Sequence, residues 1–148
     1  MKRVYLDNCC YNRPYDDQTQ VRISLEAQAK MEIQRMIKNH QLELVTSYMT
    51  EYENAQNPNV SNRTNISEFQ KEYATAYVAG STDEKVRQIA NKIEETGIKH
   101  KDACHAACAI LAGCEYLLTT DDRLMKYQDH RIKIMNPTQF ILEEEDEK

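Results

Sequence analysis

The stretch from Lys101 to Asp122, KDACHAACAILAGCEYLLTTDD, constrains this chain more than any other. Ala103, Ala106, Ala107, Ile110 and Leu111 fall at the i, i+3, i+4, i+7 and i+8 positions of one helix face. Cys104, Cys108 and Ala109 leave the rest almost as apolar, so such a helix must be covered on most sides. Gly113 turns the chain, and Tyr116-Leu117-Leu118-Thr119-Thr120 reads as a strand. A helix of about ten residues is roughly 15 Å long. A strand of about five residues covers roughly 16 Å. The chain therefore runs down a helix and back up a strand of matching length. Asp102, opening the helix, and Asp121, following the strand, should finish at the same end of the domain.

Upstream, Lys2 to Leu6 reads as a short strand ending at Asp7-Asn8, with a loop through Asn12-Arg13-Pro14. Gln20 to Asn39 reads as a helix whose stripe is Val21, Leu25, Ala29, Ile33, Met36 and Ile37. Leu42 to Thr46 is a second strand. Ser47 can cap a helix from Tyr48 to about Gln56, stopped by Asn57-Pro58. Asn59 to Asn65 is polar and reads as loop. Ile66, Phe69, Tyr73 and Tyr77 mark another helix. Thr82-Asp83-Glu84 starts the next one, with Val86, Ile89, Ala90 and Ile93 on its apolar face and Gly97 closing it. After the central helix and strand come a short helix from Arg123 to Tyr127, a strand from Ile132 to Met135, and a helix through Phe140, Ile141 and Leu142.

Strands alternate with helices, which predicts an α/β fold with a mainly parallel sheet covered on both faces. Right-handed crossovers put every strand C-terminus on one edge, and ligands bind outside that edge. The length of 148 residues suits one core. We expect a single domain over residues 1–142 and an acidic, solvated, frayed tail over 143–148. The tail holds five acids and one base, so it supplies −4 of the net charge of −5. The body is nearly neutral, and global charge neither suggests nor excludes nucleic acid. No apolar run is long enough for a membrane helix, and no leader is evident, so the expected location is cytoplasmic. Five cysteines without framework spacing read as reduced thiols. No Cys-x-x-Cys pair or zinc-type histidine spacing exists, and His100 and His105 read as packing or solvent-facing residues.

Four acids fall at the ligand-binding edge: Asp7 after the first strand, Glu53 in the helix after the second, Asp102 at the head of the central helix, and Asp121 after its strand. Each has a plainer reading. Asp7-Asn8 suits a turn, Glu53 a solvated helix face, Asp102 an N-cap, and Asp121-Asp122 a cap for the short helix. Together they repel one another and call for a cation or a proton. Hard oxygen ligands suit Mg²⁺ or Mn²⁺, which can activate water and neutralise a phosphate.

The segments VYLDNCCYNRP, TSYMTEYEN, KDACHAACAILAG and LLTTDDRLMKY resemble the four acidic motifs of PIN-domain ribonucleases, the group that includes the VapC toxins. The resemblance runs from about Arg3 to Ile141 and is weakest between Pro58 and Gly97. It implies a three-layer α/β/α sandwich, dependence on Mg²⁺ or Mn²⁺, and cleavage of RNA. It implies Asp7, Glu53, Asp102 and Asp121 as catalytic and metal-binding residues, with Glu51 and Asp122 as the neighbouring competitors and Thr119 as the polar residue before the last acid. The implied partners are an RNA substrate and a cognate antitoxin protein, with a homodimer as the oligomer to test. Arg13 reads equally as a phosphate contact or as a carboxylate partner. Lys99, His100 and Lys101 form a small basic patch beside Asp102, suited to phosphate or merely to surface charge. The competing reading is a non-enzymatic PIN-like module that binds RNA or protein. A phosphatase or receiver reading is weaker, because Asp7-Asn8-Cys9 lacks the Asp-x-Asp-x-Thr start.

Overall fold

The computed structural model describes residues 1–147. Its centre is a five-stranded, all-parallel sheet of β1 (Lys2–Leu6), β2 (Leu42–Ser47), β3 (Ala74–Val78), β4 (Tyr116–Leu118) and β5 (Lys133–Met135), in the order β3-β2-β1-β4-β5. In register, Val4 faces Leu44 on one side and Tyr116 on the other. The chain builds outward from β1 to β3, then crosses back to β4 beside β1. That reversal between β1 and β4 is the topological switch point, where such sheets open a crevice at their C-terminal edge.

Side chains alternate between the sheet's faces, and each face carries its own core. Tyr5, Val45 and Leu117 point into one, beneath α5 (Asp83–Glu94) and α6 (His100–Leu111). Val4, Leu6, Leu44, Tyr116 and Leu118 point into the other, with Ile33 and Ile37 of α2 (Val21–Lys38), Ile66 and Phe69 of α4 (Val60–Tyr73), and Phe140 of α8 (Pro137–Asp146). Burial on both faces explains why the strands are nearly continuous apolar runs. The result is the expected three-layer α/β/α sandwich. α6 is buried from Ala103 through Ala109, and its small side chains bring it close to the sheet and to Val86, Ala90 and Ile93 of α5.

Several expectations needed correcting. Residues 59–65 are not a loop: α4 starts at Val60, with Asn59 as its N-cap accepting from the Asn62 amide at 3.0 Å. That helix ends at Tyr73, and Tyr77 belongs to β3, an edge strand. The segment after Asp7 is helical, α1 (Asn8–Asn12), followed by a 3-10 turn over Arg13–Tyr15. Val21 and Leu25 are exposed, so only the second half of the α2 stripe enters the core. Residues 143–146 are not frayed: α8 runs through Asp146, and Lys2 pairs with Glu144, while Lys148 of the expected tail lies outside the described residues. All five cysteines are free thiols, as expected. Among the described residues, no helix is long and apolar enough to cross a membrane.

Candidate active site

β1 delivers Asp7 to the switch point. Its carboxylate caps α1, with Oδ1 accepting from the Asn8 amide at 2.7 Å. Oδ2 accepts from Thr119 Oγ1 at 2.9 Å. Thr119 Oγ1 in turn accepts from the Asp121 amide at 3.1 Å, so this threonine ties the loop after β4 to Asp7. The Cys9 thiol also points at Oδ2, at 3.4 Å. Asp7 is only 5 % exposed, and these donors replace the water it has lost.

Glu53 arrives from α3 (Tyr48–Ala55). A capping box fixes the start of that helix: Ser47 Oγ accepts from the Thr50 amide, and Thr50 Oγ1 accepts from the Ser47 amide at 3.0 Å. One turn later Glu53 reaches Nε2 of His105 at 2.7 Å. Glu51 is exposed on the other side, where its carboxylate meets Tyr77. Glu53 is thus the inward acid of the pair.

Asp102 lies in the first turn of α6, not before it, because Lys99 is the N-cap; the capping reading of Asp102 does not hold. Partial burial and the charges of Asp7 and Asp121, with Glu53 adding, push its carboxyl up to about 6. Asp102 thus lies within electrostatic reach of Asp7, Asp121 and Glu53. Asp121 is the N-cap of α7 (Asp122–Lys126), accepting from the amides of Arg123 at 2.8 Å and Leu124 at 3.1 Å. Asp122 turns outward to a two-pronged pair with Arg22, at 2.8 and 3.0 Å. Arg22 also donates to Thr120 O at 3.0 Å, fastening α2 to this loop. Arg13 takes the carboxylate-partner role, bonding Glu26 and Asp16 at 3.0 Å each.

His105 neither packs passively nor faces solvent. It is 1 % exposed, with Nε2 at Glu53 and 3.8 Å from Asp7 Oδ1. Nδ1 lies 2.6 Å from Tyr5 Oη, which is 2.7 Å from Ser47 Oγ. Burial would lower its pKa, but Glu53, Asp7 and Asp102 overcome this and raise it. Burial likewise works to raise Glu53, yet His105 and then Lys101 hold it below the usual glutamate value. A signal for His105 was present in the sequence: it lies three residues after Asp102, on the same side of the helix, among alanines and cysteines.

Asp7, Glu53 and His105 offer ligand atoms that all lie within 4.8 Å of one another. Two hard oxygens and an imidazole nitrogen, with further carboxylates beside them, fit a small divalent cation. The basic patch has split duties. His100 pairs with Glu94 at 2.9 Å, while the Lys101 charge acts on Glu53.

Comparison with known proteins bears on the fold. The fold resembles that of VapBC2 from Rickettsia felis bound to a promoter DNA fragment, at 11% identity and TM-score 0.55, covering 90% of this chain and 98% of that one. It also resembles FitAcB from Neisseria gonorrhoeae, at 19% identity and TM-score 0.53, covering 90% and 97%. A FitAB structure bound to an IR36 DNA fragment gives 18% identity and TM-score 0.54 over 91% and 95%. At these identities the likeness concerns the fold. No curated protein sequence matches the chain. The PIN domain model matches residues 4–129, which hold all four acids and the switch point, and the chain belongs to the PIN-domain family of nucleases.

Proposed function

We propose that this protein is a metal-dependent endoribonuclease, the toxin of a toxin–antitoxin pair, acting in the cytoplasm. One observation carries the reading: Asp7 and Glu53, from separate segments, present ligand atoms within 4.8 Å of one another at the C-terminal edge of the sheet, and Asp102 feels the charges of both and of Asp121. Carboxylates gathered at such cost need a cation. Mg²⁺ or Mn²⁺ bound there supplies an activated water and neutralises the phosphodiester. Asp7 and Glu53, with Asp102 and Asp121, would hold the cation. Thr119 orients the Asp7 carboxylate. Lys101, beside Glu53, attracts the RNA backbone toward the edge. A water activated in this way would attack phosphorus and the bond to the 3′ oxygen would break, leaving 3′-hydroxyl and 5′-phosphate ends.

The antitoxin partner is supported by the resemblance of the four acidic motifs to the VapC toxins and by the likeness of the fold to VapBC2. A homodimer is the oligomer we propose to test by light scattering.

The experiment is incubation of the purified protein with mixed RNAs in Mg²⁺, Mn²⁺ or EDTA, with Asp7→Asn as control. Cleavage that needs the metal and is lost in Asp7→Asn is expected. RNA binding without cleavage in any metal would replace the enzyme by a binding module. Cleavage that persists in EDTA would remove the metal from the mechanism.

A further inference from the structure

A buried histidine stands among small, apolar residues in the middle of α6. Ala103, Ala106, Ala107 and Ala109 surround it in the sequence and are fully buried. An imidazole in that setting loses its water and gains nothing in packing that an aliphatic residue would not give. Both ring nitrogens are nevertheless aimed. Nε2 points between Glu53 Oε1 at 2.7 Å and Asp7 Oδ1 at 3.8 Å. Nδ1 meets Tyr5 Oη at 2.6 Å, and Tyr5 Oη meets Ser47 Oγ at 2.7 Å. Tyr5 and Ser47 are fully buried as well, so the relay is sealed behind the ring.

We propose that His105 is itself a metal ligand through Nε2, beside Asp7 and Glu53, with Tyr5 orienting the ring from behind. The inference rests on the metal-dependent reading above and changes its ligand set, adding a nitrogen to the oxygens.

Three arguments carry it. First, neighbouring ligands of an ion bound at about 2.1 Å lie about 3.0 Å apart, and opposite ones about 4.2 Å. The 2.7 Å separation falls just short of the neighbouring-ligand distance and the 3.8 Å one lies between the two, so shifts of a few tenths of an ångström let one ion be shared. Second, metal-bound histidines characteristically hold a hydrogen bond on the other ring nitrogen, which sets the tautomer and ring orientation. Tyr5 fills that place. Third, the relay accepts either polarity. With the proton on Nε2, His105 donates to Glu53, and Nδ1 accepts from Tyr5, whose oxygen accepts from Ser47. With the proton on Nδ1, His105 donates to Tyr5, Tyr5 donates to Ser47, and the Nε2 lone pair is free for the ion. The two states contain the same number of protons, so the neutral ring changes over by moving one proton between its nitrogens and rotating two hydroxyls.

The consequence is metal choice. Imidazole adds affinity for first-row transition ions, whereas all-oxygen sites suit Mg²⁺. The centre should therefore prefer Mn²⁺ over Mg²⁺ by at least about tenfold, and removing the nitrogen or its Tyr5 support should cost Mn²⁺ affinity by about 10- to 100-fold.

The test uses the intact protein. Mn²⁺ and Mg²⁺ affinities are measured by calorimetry for the wild type, His105→Gln and Tyr5→Phe. Pulsed electron paramagnetic resonance on bound Mn²⁺ looks for ¹⁴N coupling. The expected result is nitrogen coupling in the wild type, its loss in His105→Gln, and a Mn²⁺ preference that falls in both variants. Should His105→Gln fail to fold, the wild-type coupling and Tyr5→Phe decide the question. Tight Mn²⁺ binding without nitrogen coupling overturns the proposal and makes His105 only a hydrogen-bond partner of Glu53, leaving the nuclease reading intact. Absence of Mn²⁺ binding in the wild type overturns both.

Discussion

Nε2 of His105 lies 2.7 Å from Oε1 of Glu53, joining the buried middle of α6 to the exposed-side helix α3. This contact aims one glutamate of a closely spaced pair. Glu53→Gln should abolish metal-dependent cleavage, since it removes a charge from the cluster while keeping the side chain's shape. Glu51→Gln should leave cleavage within about twofold, because Glu51 faces away toward Tyr77. Cleavage rates of the two variants, measured together, check the assignment. A dead Glu51→Gln beside an active Glu53→Gln would reverse it.

Asp102 should make the metal-free protein less stable as the pH rises. Its carboxyl titrates near 3.8 in an unfolded chain and is pushed up to about 6 in the folded one, by burial and then by Asp7 and Asp121. Between those values the folded state holds a proton that the unfolded state has released. Stability from this group is therefore full below about pH 4 and lost as the pH climbs to about 6. Asp102→Asn removes the loss. Its advantage over the wild type should grow from nothing near pH 4 to a plateau above pH 6, of the order of 1 kcal/mol once the screening of a half-exposed group is allowed for. Melting curves in EDTA across that range measure it. Added Mn²⁺ should reverse the order, because only the wild type keeps the complete ligand set. A flat difference across the pH range would mean that Asp102 does not feel its neighbours.

The acidic end should be dispensable for chemistry. Deleting Glu143 to Lys148 removes the last part of α8 and both Lys2 pairs, with Glu144 and with Glu147, but Phe140, the helix's main core anchor, stays. Loss of the part-buried Lys2–Glu144 pair together with the more exposed Lys2–Glu147 pair costs on the order of 1 kcal/mol. The truncated protein should melt within a few degrees of the full chain and keep its metal affinity. A collapse of either would mean that residues 1–142 are not a sufficient unit.

The layers and the acids were legible in the sequence for a physical reason. β1, β2 and β4 are largely buried on both faces, so their apolar runs are nearly continuous, and turn or cap residues bound them. β3 was hidden because Ile66, Phe69, Tyr73 and Tyr77 keep helical spacing across the junction, and no Gly or Pro separates Tyr73 from Ala74. Pairing with β2, as in Val45 with Ala76, turns the last of these residues into strand. The start of α4 was hidden by weak helix formers, Ser61 to Asn65. Tertiary bonds hold it instead: Asn54 donates to Arg63 O at 2.9 Å, and Arg63 donates to Asn57 O at 3.0 Å. His105 was hidden because periodicity reports that a position is buried and says nothing of what its polar atoms meet.

The adjacent acids Asp121 and Asp122 should separate cleanly by mutation. Asp121 does two things at once. Its Oδ1 accepts from the Arg123 and Leu124 amides, and its charge raises Asp102. Asp122 does neither: it is exposed and paired with Arg22, whose hydrogen bond keeps its carboxyl below the usual value. Asparagine caps a helix about as well as aspartate, so Asp121→Asn should keep α7 and lose only the charge. It should abolish cleavage and weaken Mn²⁺ binding, yet match or exceed the wild type in melting temperature without metal, because one repulsion is gone. Asp121→Ala should be equally inactive and less stable by about 1 kcal/mol, the worth of the cap. Asp122→Asn should retain activity, since breaking an exposed pair costs at most about 1 kcal/mol. Cleavage assays and metal-free melting on the three variants separate charge from cap. A dead Asp122→Asn with an active Asp121→Asn would move the metal-facing acid by one residue, and full activity in all three would remove this loop from the active site.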